Sequence, residues 1–263
     1  MKPVILMRCC LADDGELEVA KKYFDVYECI TDIPRNSLVI PRYACLPYFR
    51  ELAYNINNLG SKLINSYGSF AWISEFKWYW SSPELRKITP KTWREDEFYT
   101  AEEGRFVVKG VTNSKKQNWN TSMYASTKRK AVEIGCLLYN DGLIGYQPII
   151  YREYIPLKTF DVLLNDLPVT NEHRIFVLNG HILCNGYYWS NAENTDVKLS
   201  EEGLTFAENV INMIGGSPKA YSFDIAEKES GGWTLIEINS FEMAGLSCIS
   251  PEEFYKTLSE RLK

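Results

Sequence analysis

Asp224 and Glu237 sit where apolar neighbours would bury them. The first lies in Phe223-Asp224-Ile225-Ala226, the second in Leu235-Ile236-Glu237-Ile238-Asn239. Both stretches read as strands, joined by a polar turn through Ser230-Gly231-Gly232. If the strands are antiparallel, the two acids lie close together. Glu237 and Asn239 are two residues apart, so their side chains share one face. Three hard oxygen donors on one face suit Mg²⁺, which keeps its other positions for water and phosphate oxygens. Buried carboxylates without a partner are costly, and a cation removes that cost. The plain alternative is a cross-strand polar patch facing solvent. If the acids repel one another in the empty protein, neutralising either one stabilises it.

Two weaker features accompany them. Lys109 ends the apolar run Phe106-Val107-Val108, and a lysine at a strand mouth can reach a phosphate as a point charge. Strands also end in lysine without any such role. Tyr151-Arg152-Glu153-Tyr154-Ile155-Pro156 is extended and enters a proline turn. Its backbone can pair with a planar base, or it is an ordinary strand end. The two histidines, His173 and His181, alternate with apolar residues, which gives zinc and Ser-His-Asp chemistry no foothold. No GxxxxGK or GxGxxG motif is present.

The elements that must hold these residues follow from periodicity. Near the N-terminus, Val4–Met7, Ser37–Ile40 and Lys62–Ile64 read as strands. A helix over Pro47–Leu59 carries Phe49, Leu52, Ala53 and Ile56 on one face and stops at Gly60. Alternating strands and helices imply a small, mostly parallel sheet. Arg8, Arg42 and Tyr43 fall at its strand ends, where such sheets bind ligands; surface charge and packing is the alternative. The aromatic segment 70–95 reads as core and interdomain packing, with a stacking surface as the sharper option. Further on, the pattern predicts a helix over Thr127–Tyr139 and a strand over Gln147–Ile155. Arg174–Leu178 and His181–Tyr187 form a hairpin through Asn179-Gly180. Ser200 caps a helix to Ile214, and a Ser250-Pro251-Glu253 capping box opens a last helix.

The 263 residues carry a net charge of −5, so bulk electrostatics give nucleic-acid binding no support. No apolar run approaches a bilayer span and no signal-peptide pattern opens the chain. Seven scattered cysteines without a CxxC pair, Cys9 and Cys10 adjacent, read as reduced thiols of a cytoplasmic protein.

In order, these features are a strand lysine, a polar loop, a helix, Glu-Tyr-Ile, an arginine strand, Asp, and Glu-x-Asn. That order resembles the ATP-grasp family over about residues 71–245. The closest likeness is to its clade named for one arginine and two lysines, common in bacteria and phages. The resemblance implies an α/β (α+β) ATP-grasp fold: an N-terminal parallel α/β domain over 1–70, then a two-lobed module divided into 71–155 and 156–263. It implies ATP with Mg²⁺, or Mn²⁺, as cofactors. Asp224, Glu237 and Asn239 match the metal ligands, Asp224 also contacting nucleotide. Lys109 and Lys77 resemble the phosphate-binding and earlier nucleotide lysines, Glu153, Tyr154 and Ile155 the adenine hinge, and Arg174 the arginine meeting the transferred phosphoryl group. Family members often carry a glycine-rich flap after the strand lysine; here Thr112–Asn118 holds no glycine, leaving Ser114, Lys115 or Lys116 to contact phosphate. The implied activity joins a small-molecule or peptide carboxylate to an amine or thiol through an acyl phosphate. An ATP-grasp kinase, or a non-catalytic nucleotide-binding or docking module, are the alternatives.

Overall fold

The N-terminal strands pair in parallel. β1 (Lys2–Leu6) lies between β2 (Asp25–Tyr27) and β3 (Ser37–Pro41), and β4 (Lys62–Leu63) completes the order β2-β1-β3-β4. The crossovers contain α1 (Asp14–Tyr23) and α2 (Phe49–Asn58). α2 buries Phe49, Leu52 and Ile56, one stripe at helical spacing. Gly60, at φ 68°, supplies the left-handed residue just beyond its end. The computed structural model describes residues 1–8, 14–46 and 48–263. Cys9, Cys10 and the Pro47 start expected for α2 lie outside them; the five described cysteines are free.

The aromatic segment forms α3 (Tyr67–Ser74), α4 (Lys77–Ser81) and α5 (Pro83–Lys87). Its rings pack instead of offering a stacking surface. Phe70 stacks on Phe49 at 3.7 Å, and Trp78 and Tyr79 are fully buried.

An antiparallel sheet follows, ordered β5-β8-β6-β7, from β5 (Thr92–Arg94), β6 (Phe106–Gly110), β7 (Tyr124–Ala125) and β8 (Ile149–Glu153). Between β6 and β8 lie α6 (Trp119–Ser122) and α7 (Lys128–Tyr139). Thr127 caps α7, accepting from the Lys130 N–H, and Ala131, Ile134 and Leu138 face the sheet. Gly135 lies on the same side, where a Cβ would collide with the Tyr151 hydroxyl and ring. Gly135→Ala is therefore expected to destabilise by about 1–3 kcal/mol, the usual penalty for overpacking. Urea unfolding with an unchanged midpoint would show that α7 can shift.

A β9 (Thr159–Leu163) and β10 (Leu167–Thr170) hairpin leads to a second antiparallel sheet, ordered β12-β11-β13-β14. Its strands are β11 (Glu172–Leu178), β12 (His181–Tyr187), β13 (Ala220–Glu227) and β14 (Trp233–Ser240). Asn179 and Gly180, both at positive φ, make the expected turn. α8 (Glu201–Ile214) is capped by Ser200, which accepts from the Gly203 N–H. The capping box expected for α9 (Pro251–Arg261) is absent: the Ser250 side chain makes no capping bond. Proline at the helix start and two glutamates in the first turn favour that end instead.

α1 and α9 fill the space between the parallel sheet and the second antiparallel sheet. One core joins Ile5 and Ile40 to Phe176 and Leu183, with Ala20, Phe254 and Leu258 between. Arg42 belongs to this packing. It donates to Glu16 and to the Phe241 carbonyl and lies among Phe176, Phe241 and Phe254. Among the described residues no helix is long and apolar enough to cross a membrane.

Candidate active site

Strand register builds the site. Arg174 on β11 pairs with Asp224 on β13, which pairs in turn with Glu237 on β14. Three charged residues thus form a row across the sheet, and Asn239 lies two positions beyond Glu237. Asp224 is 0% exposed. It accepts two bonds from Arg174, Nε at 2.8 Å and Nη2 at 2.7 Å, and Arg174 Nη1 donates to the Gly245 carbonyl at 2.9 Å. The Asn239 amide reaches Glu237 at 3.0 Å and Asp224 at 3.3 Å. From the facing sheet Lys109 donates to Glu237. Burial alone would push the Glu237 carboxyl up, but Lys109 and Lys116 hold it well below the usual carboxylate range. Burial raises the Asp224 carboxyl and Glu237 does so too, but the two acids are not the bare pair expected from the sequence: Arg174 lowers Asp224 and Lys109 bonds Glu237.

Lys109 and Glu237 line a cleft between the two antiparallel sheets, enclosing about 820 Å³ counting its open mouth, with Asp224, Asn239 and Arg174 bonded behind Glu237. Its walls include Lys109, Lys116, Trp119, Met123, Trp189 and Glu237. Glu153, Tyr154 and Ile155 line it too. Of the three backbone amides, Glu153 N donates to the Lys91 carbonyl and Tyr154 N to that of Arg105. Among the described residues no backbone carbonyl accepts from Ile155 N, which leaves that donor for a ligand.

The loop after β6 divides its candidates. Lys115 turns away to Asp141, at 2.8 Å, while Ser114 and Lys116 line the cleft. The Lys116 ammonium lies 3.8 Å from the Tyr188 ring centroid and 4.9 Å from that of Trp189. Arg174 stacks on Tyr188 as well, at 4.9 Å. Lys77 is not brought to the cleft. Its side chain is 55% exposed and pairs with Glu75 at 2.6 Å, because the short helix it opens points it outward.

Two charged cleft residues escaped the sequence reading. Arg152 is buried, donating to the Ile236 carbonyl and to Thr92 while its second terminal nitrogen has no partner. Glu172 is buried at the start of β11 with one oxygen unpartnered. Burial lifts its carboxyl to about 7 despite Lys116. A charged residue inside an apolar strand, Ile149-Ile150-Tyr151-Arg152, was the available signal for Arg152. His173 is buried and bonded to Asn171, and burial holds it down at about 4, so it stays neutral.

The model of the ATP-grasp domain, R2K clade family 3, matches residues 96–258, more than half of the chain. The chain belongs to the ATP-grasp family, in its R2K clade. Solved structures agree on the fold. D-cycloserine synthetase DcsG superposes with a TM-score of 0.63 at 11% identity, covering all of both chains. A RimK domain ATP-grasp protein from Sphaerobacter thermophilus DSM 20745 gives 0.59 at 10%, covering 97% of this chain and 98% of that one. The macrocyclase MdnC from Microcystis aeruginosa MRC, solved with precursor peptide MdnA, gives 0.57 at 13%, covering 100% and 99%. At these identities the likeness is one of fold. No curated protein matches the chain significantly. The ATP-grasp fold preceded by a parallel α/β sheet, expected from the sequence, is what the chain adopts.

The donor set of this ATP-grasp chain fits a hard cation. Among the described residues no group of three His, Cys, Asp or Glu could hold a metal. Two carboxylates and an amide joined by hydrogen bonds, with only two of the three being His, Cys, Asp or Glu, are an oxygen-rich set of the kind Mg²⁺ favours.

Just beyond this row, Glu242 is buried, with one oxygen bonded to Asn65 and the other unpartnered, and burial raises it to about 7. A carboxyl whose folded-state value lies above its unfolded value of 4.5 binds its proton more tightly when folded. Its contribution is fully present below about pH 4.5 and is lost as pH rises through about 7, by on the order of 3 kcal/mol. Glu242→Gln is expected to flatten the fall in melting temperature between pH 5 and 8. An identical slope in the variant would show that Glu242 does not titrate there.

Proposed function

We propose that this ATP-grasp chain is an ATP-dependent ligase. It joins a carboxylate to an amine, or to a thiol, through an acyl phosphate, releasing ADP and phosphate. The observation that carries the reading is one cleft that holds the free Ile155 amide together with Lys109 and Glu237, the latter bonded to Asn239, which reaches Asp224 and its partner Arg174. Ile155 N–H would donate to adenine. Lys109 and Lys116 would hold phosphate oxygens. Asp224, Glu237 and Asn239 would hold Mg²⁺, which supplies charge neutralisation at the phosphates when bound.

The chemistry requires little else from the protein. A carboxylate oxygen attacks the γ-phosphorus, the bond to ADP breaks, and Arg174 is placed to neutralise charge on the transferred group. The amine then attacks the acyl carbon, loses a proton, and phosphate leaves. No protein nucleophile is needed, in keeping with a neutral, buried His173. DcsG, a D-cycloserine synthetase, and MdnC, a macrocyclase bound with a precursor peptide, are compatible with such a reading. The divisions at 1–70, 71–155 and 156–263 are proposed as functional units around it.

MgATP at about a hundredfold its dissociation constant is expected to stabilise the fold by about 2.7 kcal/mol, by mass action on the native state. Calorimetry showing no ATP binding at millimolar concentration with Mg²⁺ present would remove the reading. ADP release against pooled amino acids, peptides and carboxylates tests the reaction itself. A stable phosphorylated product without free phosphate would turn the ligase into a kinase.

A further inference from the structure

A groove leaves the nucleotide cleft on the side of Arg174. It encloses about 1090 Å³ counting its open mouth. Lys116, Leu167 and Trp189 line both the groove and the cleft, so the two spaces share a wall. Tyr188 lines the groove, and Arg174 stacks on its ring at 4.9 Å. Ser247 lines it too, just beyond the Gly245 carbonyl that accepts from Arg174. From the other side come Leu163 and Leu164, at the turn between β9 and β10.

The two ends of this groove differ. The inner end is cationic. The Lys116 ammonium rests on the Tyr188 and Trp189 rings and forms no ion pair among the described residues. The carboxylates nearest it in charge, Glu172 and Glu237, line the cleft and not the groove. The outer end is apolar, and Leu164 is left 92% exposed there. Among the described residues no Asp or Glu lines the groove; Ser190 and Asn191 are neutral. An ammonium ligand would meet a cation with no counter-charge beside it, whereas a carboxylate meets its complement. An apolar body lying over Leu164 removes both surfaces from water.

We propose that this groove binds the acid substrate, a carboxylic acid with an apolar body, its carboxylate at Lys116 and its body against Leu164 and Leu167. Lys116 also lines the cleft where the phosphates are proposed to lie, so an acid held there is next to its phosphoryl donor. As a substrate assignment this rests on the ligase reading; the binding itself does not.

The test is titration of the full chain, without nucleotide, with acetate, butyrate, hexanoate and octanoate, and with octylamine. MgATP affinity is measured on the same preparations. Acid affinity should rise about fourfold per methylene, the value of one buried CH₂. Octylamine should bind about tenfold or more weakly than octanoate, for want of the charge-assisted bond. Leu164→Ser, at an exposed position, should weaken octanoate about tenfold and leave MgATP affinity unchanged. Octanoate and MgATP should bind together; mutual exclusion would put the acid in the nucleotide cleft and overturn the proposal. Normal MgATP binding with no graded acid binding overturns it and spares the ligase reading. Graded acid binding that Leu164→Ser weakens, without MgATP binding, supports the groove and sinks that reading. Octylamine binding as well as octanoate, or an indifferent Leu164→Ser, also overturns it.

Discussion

Asp224→Asn is expected to lower the melting temperature of the nucleotide-free protein and to abolish Mg²⁺-dependent ADP release. The carboxylate is inaccessible to water and receives both forks of Arg174. Neutralising it leaves a buried guanidinium without its counter-charge. Breaking a buried pair by removing one partner typically costs about 3–5 kcal/mol, and about 2–4 °C is lost per kcal/mol in a chain approaching this size. The sign is the reverse of what two bare, repelling acids would give. ADP release falls for a separate reason: an amide is a poor substitute for a carboxylate toward a hard cation. Melting and ADP release are measured on the same preparations. An unchanged or higher melting temperature would mean the pair does not form in solution. Retained ADP release would remove Asp224 from the proposed metal site.

Arg174→Lys is expected to reduce turnover by about 10²–10³-fold with nucleotide affinity changed only a few-fold. The lysine keeps a positive charge opposite Asp224, so the fold is spared the cost that Arg174→Ala would incur. It loses the planar fork and the bond to the Gly245 carbonyl that fix the guanidinium's direction. If Arg174 acts on charge developing during phosphoryl transfer, kcat falls more than KM rises. An unchanged turnover number would take Arg174 out of the mechanism and leave it a structural partner of Asp224.

What was legible beforehand divides along physical lines. Asp224, Glu237 and Asn239 stood out because an acid inside an apolar strand is conspicuous in one dimension, and strand geometry then fixes its face. The hairpin and the Ser200 cap were legible for the same reason: their chemistry is local. The pairing of Arg174 with Asp224 was not, since fifty residues separate them and only strand order makes them neighbours. Arg152 and Glu172 needed the cleft itself to acquire meaning. Lys77 misled because adjacency in sequence says nothing about direction, and Glu75 nearby holds it outward. The segment around Phe70 hid its helices because it is apolar nearly all round, so no periodic stripe remains. α1 also passed unread, its apolar side resting on α9, more than two hundred residues away in the chain.

That last contact bears on how the protein is made. α9, which completes the core shared by Ile5, Ile40 and Phe176, is synthesised more than two hundred residues after β1. At about 5–20 residues per second, the parallel sheet waits roughly ten to fifty seconds for it to emerge from the ribosome. Through that interval Ile5, Ile40 and Ala20 present an unfinished apolar face, the kind of surface that chaperones hold and that aggregates when they are scarce. The nascent chain, rather than the finished protein, is thus where this architecture is most vulnerable.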